Sequence, residues 1–218
     1  MKDINATIII GLKGKTREEI YRGTDYSRRK NIKKAIKSGI TYKESKDEKD
    51  LKKGYKINSK ILLEGGTVPK NYVEWLKFID PERNPYFVIK YKESIIGCFA
   101  IRGITRKFYG ENSNEKGIRP TIFANEKEYN DYRPNDLMYW ATILYGLENN
   151  YKFVDLGGWQ INPQGHLKGV NKFKEKWGGK VYYYYTNYPF LRALGRKLIR
   201  NFHFFGWLNA KMKRLSIS

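Results

Sequence analysis

One stretch of the sequence, residues 151–180, combines residue types from which a ligand site can be built. An apolar segment, residues 152–156, stops at two consecutive glycines, and a polar loop and a basic amphipathic segment, residues 167–177, follow. A strand that leads through such a loop into a helix brings amides and lysines together, where they can bind an anion. An ordinary strand-to-helix connection has the same pattern, because short motifs recur by chance. The candidate residues are Asp155, Gly157, Gly158, Trp159, Asn162, His166, Lys168, Lys172 and Lys174.

These residue types suit amide formation better than hydrolysis through a covalent intermediate. We find no Ser-His-Asp or Cys-His set, and a transferase that only aligns two substrates needs none, because orientation alone lowers the barrier. Asp155 can accept a proton from an amine or anchor the loop, and backbone amides of residues 157–159 can face an oxyanion. Lys172 and Lys174 are two positions apart, so on a helix they cannot share one face. His166 is a lone histidine, which is more often a surface residue.

The composition indicates an anionic partner. The chain has 218 residues, 40% hydrophobic and 16% aromatic, which is enough for a packed core, and a formal net charge of +21. Such an excess suits RNA, a phosphorylated small molecule or a membrane surface, although solvated lysines give the same composition. A single cysteine, Cys98, and two isolated histidines argue against a disulfide and against a zinc site. The sequence shows no signal peptide and no membrane span, so a cytoplasmic location is predicted. Peripheral contact with the inner face of an anionic membrane is compatible with that location.

A second basic segment lies near the amino terminus. Ser27 is predicted to cap a helix over residues 28–38 that ends at Gly39, with an apolar stripe of Ile32, Ala35 and Ile36. Six cations on one short helix repel one another, so the arrangement is unfavourable unless an anion offsets it; a solvated face is the alternative. From this helix we select Arg28, Arg29 and Lys33 as candidate substrate-binding residues.

The remaining pattern predicts an α/β fold. A buried strand over residues 6–12, a helix opened by a capping box at Thr16, and a short strand over residues 40–44 come first. The other predicted elements are a helical or loose segment 47–55, helix 72–79, a hairpin of strands 87–91 and 94–104, a polar connection 106–132 with a short strand 121–124, helix 134–148, strand 152–156, helix 167–177, strand 181–186 and a basic amphipathic helix from about 189. This order predicts a mixed, mainly antiparallel sheet flanked by helices, in one domain over residues 1–218.

The order of a hairpin, helix, strand, helix and strand resembles a GNAT-type acyltransferase, and three pieces resemble the FemAB family of aminoacyltransferases in particular. Residues 27–40, SRRKNIKKAIKSGI, are similar to the family's RRxIRKAxxxGI helix. Residues 132–158, YRPNDLMYWATILYGLENNYKFVDLGG, resemble its helix and strand ending in DFGG. Residues 168–180, KGVNKFKEKWGGK, resemble its GLYxFKxxFGG helix.

The resemblance implies a GNAT-like fold and a reaction at an amine. Members of the family transfer an aminoacyl group from aminoacyl-tRNA to a peptidoglycan precursor, and relatives act on amino sugars and peptides. The lysine of the family's helix matches Lys174, and the paired arginines match Arg28 and Arg29. Family members that build peptidoglycan bridges carry two such domains, so a partner subunit or a homo-oligomer is expected to replace the second.

Two alternatives remain open at the level of sequence. The first is an N-acyltransferase that uses acyl-CoA; such GNAT enzymes carry an R/Q-x-x-G-x-G/A loop after the central strand, and we find none in residues 101–132. The second is a non-catalytic basic module that binds RNA or an anionic membrane. The net charge favours a polyanionic donor such as tRNA, and no tightly bound cofactor is predicted.

Overall fold

The computed structural model describes residues 2–106 and 114–187. Residues Thr7–Tyr182 form one compact unit, and the described residues 2–6 and 183–187 belong to a second. The predicted basic helix from about residue 189 lies outside the described residues. Within the described ranges, no helix has the length and apolarity needed to cross a bilayer.

Within the described residues, seven strands form one mixed, mainly antiparallel sheet, as the sequence predicts. The strands are β1 (Lys2–Gly11), β2 (Ile40–Glu44), β3 (Tyr86–Tyr91), β4 (Ser94–Arg106), β5 (Glu115–Asn125), β6 (Phe153–Trp159) and β7 (Lys180–Asn187). Their order in the sheet is β2-β3-β4-β5-β6-β1-β7. The pairs from β2 to β5 are antiparallel, whereas β5 and β6 run parallel and are joined through a helix.

Helices cover both faces of this sheet. They are α1 (Arg17–Gly23), α2 (Tyr26–Lys37), α3 (Glu48–Glu64), α4 (Tyr72–Ile79), α5 (Pro134–Glu148) and α6 (His166–Glu175), with a 3-10 helix at Lys127–Tyr132. One buried cluster joins α1, α2 and α5 to the sheet, through residues such as Ile20, Ile32 and Leu137. A second cluster joins α3 and α4 to the other face, through Leu51 and Trp75. The sheet is therefore the middle layer of three.

Several predicted elements are confirmed within a residue or two. The helix Tyr72–Ile79, the helix Pro134–Glu148 and the strand Ile40–Glu44 have the predicted bounds. The capping box at Thr16 is present, with Thr16 and Glu19 bonded to each other's backbone amides. The hairpin of β3 and β4 turns at residues 92–93 as predicted. Strong period-two or helical patterns with turn residues at both ends were therefore sufficient for these elements.

The prediction of a long polar connection over residues 106–132 is wrong in part, because β5 occupies eleven of those residues. Turn-forming residues such as Asn114 and Gly117 favour a loop, so the sequence predicts only a short strand over residues 121–124. Pro120 is also unusual inside a strand, since proline cannot donate to a sheet ladder. In the structure, Pro120 pairs with Ile101, where the register between β4 and β5 shifts. An irregularity in the ladder thus accommodates the proline inside a long strand.

Several other boundaries also differ from the predictions. The cap of α2 is Asp25, whose carboxylate accepts a hydrogen bond of 2.8 Å from the amide of Ser27, so Ser27 lies inside the helix. Helix α3 continues well past residue 55, because Ile57 extends the buried stripe begun by Leu51. Strand β6 continues through both glycines to Trp159, which therefore lies on a strand.

Candidate functional site

Strands β5 and β6 form a parallel ladder over a short distance and then separate. Among the described residues, the ladder comprises Gly117 with Phe153 and Ile118 with Val154. Strand β5 continues to Asn125 and β6 to Trp159 without further pairing to each other. The next residues along the two strands, Arg119 and Asp155, therefore lie where the sheet opens.

Asp155 is fully buried, and both of its carboxylate oxygens accept hydrogen bonds. One oxygen accepts from the Thr7 hydroxyl and from the amide of Gly157, the latter at 2.8 Å. The other accepts from the guanidinium of Arg106, with Nε at 2.9 Å. These bonds fix the turn after β6 and hold a cation beside it. They also occupy the Gly157 amide, which corrects the expectation that this amide is free to face an oxyanion.

Gly157 allows an arginine side chain to approach the backbone closely. Its φ of +80° lies in the left-handed region. A Cβ atom at this position would lie 3.2 Å from Nη2 of Arg119. The absence of a side chain therefore lets the Arg119 guanidinium lie beside the turn. The side chain of Arg119 forms no hydrogen bond or ion pair with the residues that the structure describes.

Lys174 reaches the same turn from α6. Its ammonium donates a 2.8 Å hydrogen bond to the carbonyl oxygen of Gly158, and the side chain is half-buried. Burial lowers the pKa of Lys174, the positive charge of Arg119 lowers it further, and the negative charge of Asp155 acts in the opposite direction. An ammonium has three donors, so after its bond to Gly158 two N–H groups of Lys174 remain for a ligand.

Among the side chains of the described residues that contact the turn, cations outnumber anions. Arg106, Arg119 and Lys174 supply three positive charges, and Asp155 supplies one negative charge that Arg106 already pairs with. A partly buried surplus of cations is stabilised by an anion or by an oxygen atom that carries developing negative charge. The arrangement is therefore suited to bind a carboxylate, a phosphate or the carbonyl oxygen of an ester.

Hydrogen bonds from α6 hold the loop that follows β6. The buried Asn171 side chain accepts from the Gln160 amide at 3.0 Å and donates to its carbonyl at 2.8 Å. The Trp159 indole donates to the Glu175 carboxylate at 2.7 Å. Of the other candidates in this stretch, Asn162, His166, Lys168 and Lys172 are exposed. Lys172 and Lys174 project differently, as their spacing predicts.

The carboxyl end of α6 lies directly against the rest of the fold. Gly178 has a φ of +76°, and a Cβ atom there would lie 2.5 Å from the carbonyl oxygen of Gly23. At Gly179 a Cβ would lie 2.5 Å from a methyl group of Ile8. The segment after α6 therefore packs against β1 and the end of α1 at a distance that a larger residue does not permit.

The candidate residues of α2 lie apart from the turn. Arg28 donates to Asp136 at 2.8 Å in a largely buried ion pair, and its guanidinium stacks 4.7 Å from the ring centre of Phe173. Burial raises the pKa of Asp136, while Arg28 acts to lower it. Arg29 donates to the carbonyl oxygen of Arg22, and Lys33 is exposed on the outer face of the helix.

The structure thus brings Asp155, Gly157, Gly158 and Lys174 together and leaves Arg28, Arg29 and Lys33 outside that cluster. Two arginines at the turn, Arg106 and Arg119, were not selected from the sequence. Because the sequence predicts a connection for most of their segment, it gives no direction for the Arg106 side chain. A signal was present for Arg119, because Ile118 and Ile122 flank it with the spacing of a strand.

Comparison with solved structures shows that the chain shares its fold with FemX, with L-PGS and with a DUF2156 domain, which confirms the predicted resemblance to FemAB-type proteins at the level of the fold. The structure of FemX superposes with a TM-score of 0.61 at 15% identity, covering 81% of this chain and 59% of that one. L-PGS from Bacillus licheniformis superposes with a TM-score of 0.56 at 16% identity, covering 88% of this chain and 64% of that one. The C-terminal DUF2156 domain of a putative lysylphosphatidylglycerol synthetase from Agrobacterium fabrum superposes with a TM-score of 0.55 at 10% identity, covering 84% of this chain and 60% of that one.

These matches concern the fold. The chain spans between 59% and 64% of the length of the three proteins that it superposes on. No family model and no curated protein sequence matches the chain.

Proposed function

We propose that the chain is an aminoacyltransferase that forms an amide bond on an amine acceptor, with aminoacyl-tRNA as the donor. The observation that carries this proposal is the pair of cations, Arg119 and Lys174, beside the Gly157-Gly158 turn where β5 and β6 separate. Superposition on FemX and on the lysylphosphatidylglycerol synthetase domain is consistent with it, as is the resemblance of three sequence pieces to the FemAB family.

The reaction needs stabilisation of negative charge more than it needs a nucleophile from the protein. The amine nitrogen attacks the ester carbonyl carbon, the C–N bond forms, and the C–O bond to the ribose breaks. The amine nitrogen loses one proton and the ribose oxygen gains one; when Lys174 donates the latter, the proton from the amine restores its ammonium. Negative charge develops first on the carbonyl oxygen and then on the leaving oxygen, and the free N–H groups of Lys174 and Arg119 can stabilise it.

Lys174 and Asp155 have different roles in this proposal. The lowered pKa of Lys174 makes its ammonium a better proton donor to the leaving ribose oxygen. Asp155 has both oxygens occupied by Thr7, Gly157 and Arg106, which supports a positioning role over that of a proton acceptor. The acceptor amine then belongs to a peptide, a cell-wall precursor or an amino sugar, as the family resemblance implies.

The proposal is tested by transfer from charged tRNA. A mixture of tRNAs carrying labelled amino acids is incubated with the protein and with candidate amines, and labelled amide is measured. We expect Lys174→Ala to lower the rate on the order of 100-fold, because one charge-stabilising donor is removed. Lys180→Ala is the matched control: it removes an exposed lysine at the start of β7, which is not a candidate site residue, and its rate should stay within about threefold of the original.

The other outcomes separate the competing functions. Turnover of an acyl-CoA without transfer from aminoacyl-tRNA would establish the CoA-dependent alternative. RNA binding without transfer from either donor, and with no effect of Lys174→Ala, would establish a non-catalytic basic module.

A further inference from the structure

We propose that the outward face of α2 is a docking surface for the phosphate backbone of RNA, separate from the Gly157-Gly158 turn to which Lys174 is bonded. We call it the α2 lysine face and define it by Tyr26, Lys30, Lys33, Lys34 and Lys37. The identification of that RNA as the tRNA donor rests on the proposed function; the docking surface itself does not.

The α2 lysine face is a continuous stripe. Tyr26, Lys30, Lys33 and Lys37 follow one another at intervals of four, three and four residues, which places them on one side of a helix. Ile32 and Ala35 are buried on the opposite side. At 1.5 Å per residue the stripe is about 16 Å long, so it can follow several consecutive phosphates.

The charges of this face are not compensated by the protein. The side chains of Lys30, Lys33, Lys34 and Lys37 are exposed and form no ion pair with the residues that the structure describes. No acidic residue lies within α2. Lys30 and Lys34, like Lys33 and Lys37, are four residues apart, and like charges at this spacing destabilise a helix. A bound polyanion would relieve this repulsion.

The shape and composition of the face favour RNA over a membrane. An open depression of about 470 Å³ is lined by these lysines together with Arg29, Tyr21 and the exposed ring of Tyr26. Aromatic rings among cations suit a nucleic acid, because bases stack on them. A helix that lies on a bilayer inserts an apolar face, whereas the apolar face of α2 is packed into the core of the domain.

The α2 lysine face leads toward the candidate site. The amide of Asp25, at the start of α2, donates to the carbonyl of Lys176 at 2.9 Å, and the Lys176 ammonium donates to the Ser27 hydroxyl at 3.1 Å. A second open depression of about 380 Å³ at this junction is lined in part by Lys172 and Lys176. The amino end of α2 therefore meets the carboxyl end of α6, the helix that carries Lys174.

The test compares two variants with equal loss of charge. One is the quadruple variant Lys30→Gln, Lys33→Gln, Lys34→Gln and Lys37→Gln. The control changes four exposed lysines of α3 and α4, as Lys49→Gln, Lys56→Gln, Lys60→Gln and Lys77→Gln. These control residues also form no ion pair with described residues. Binding of a fluorescent, uncharged tRNA transcript is measured by anisotropy over a range of salt concentrations.

We expect the α2 variant to bind the transcript on the order of 100-fold more weakly, with a salt slope less steep by about 3, because four phosphate contacts are lost. The control should stay within about threefold of the original. Equal losses in both variants would overturn the proposal, because the net charge alone would then explain binding. Circular dichroism spectra should show that the α2 variant and the control variant are folded to the same extent as the original protein.

A membrane is the alternative partner, and vesicles of phosphatidylcholine with phosphatidylglycerol are the probe. If the α2 variant loses vesicle binding but keeps RNA binding, the docking surface is for lipid and the RNA proposal is wrong. RNA docking that depends on α2 without any transfer reaction would leave this inference standing and refute the proposed function. If the protein transfers aminoacyl groups from tRNA but the α2 variant binds RNA as tightly as the original, the proposed function stands and the docking surface is refuted.

Discussion

The guanidinium of Arg119 lies beside Gly157, with Nη2 3.2 Å from the point where a Cβ atom would be. Arg119 is on β5 and Gly157 is on β6, so this contact spans the gap where the two strands stop pairing. It places a positive charge next to the turn that also accepts the hydrogen bond from Lys174. Two residues far apart in the sequence thereby define one small cationic site.

Replacing Gly157 with alanine is expected to destabilise the protein by about 1–2 kcal/mol, because an L-residue is strained in the left-handed region. The new methyl group also forces the Arg119 guanidinium to move. Gly158→Ala is the matched control, since that neighbour does not have a positive φ and has no atom within 4 Å of a built Cβ. The free energy of unfolding of both variants is measured by urea denaturation. Equal stability of the two variants would contradict the strained turn.

Replacing Arg119 with glutamine is expected to raise the pKa of Lys174, because a neighbouring positive charge that disfavours the ammonium is removed. If protonated Lys174 assists the leaving group, the transfer rate falls as the pH rises through that pKa. The fall should then occur at higher pH in the variant, and the maximal rate should be about 100-fold lower.

Lys116→Gln is the control for the pH profile of transfer by Arg119→Gln, because it removes an exposed cation from the same strand. The control profile should coincide with that of the original protein. A shift of the alkaline limb to lower pH in Arg119→Gln would show that the two side chains do not repel each other.

Replacing Arg28 with methionine is expected to cost about 3 kcal/mol of folding stability, because it leaves the buried carboxylate of Asp136 without its cation. Adding Asp136→Leu should restore much of the loss. Arg29→Met should change the stability by about 0.5 kcal/mol or less, because that side chain lies at the surface. Denaturant unfolding of all three variants tests a structural role. If Arg28→Met instead weakens substrate binding at unchanged stability, the sequence-based assignment to substrate holds.

The sequence was sufficient for elements whose pattern is local. The hairpin of β3 and β4 and the helix α5 have apolar periodicity and turn residues at their ends, and both lie where predicted. The sequence predicts only residues 121–124 of β5, because Pro120 is tolerated through a shift in its pairing with β4 that no local pattern reveals. Asp25 was missed as a cap because Ser27 offered an equally plausible oxygen two residues later.

In the candidate site, too, some residues could be predicted from the local sequence and others depend on the tertiary structure. Asp155, the two glycines and Lys174 lie within one stretch of sequence, and the family resemblance singled out Lys174. Arg106 and Arg119 join them only through the order of strands in the sheet, which places β5 beside β6. Asn171 is a polar residue in a helix, and its bonds to the Gln160 backbone become evident only once the loop is folded back against α6.

Helix α6 is held at two points: Asn171, near its middle, is bonded to the loop before it, and Gly178 packs against Gly23 after it. The Lys174 side chain between these anchors is itself bonded to Gly158. The conformational entropy that a mobile lysine would lose on meeting its substrate is therefore lost when the chain folds. A site prepared in this way needs no closing movement of α6, and the amide protons of this helix should exchange equally slowly with and without a bound donor.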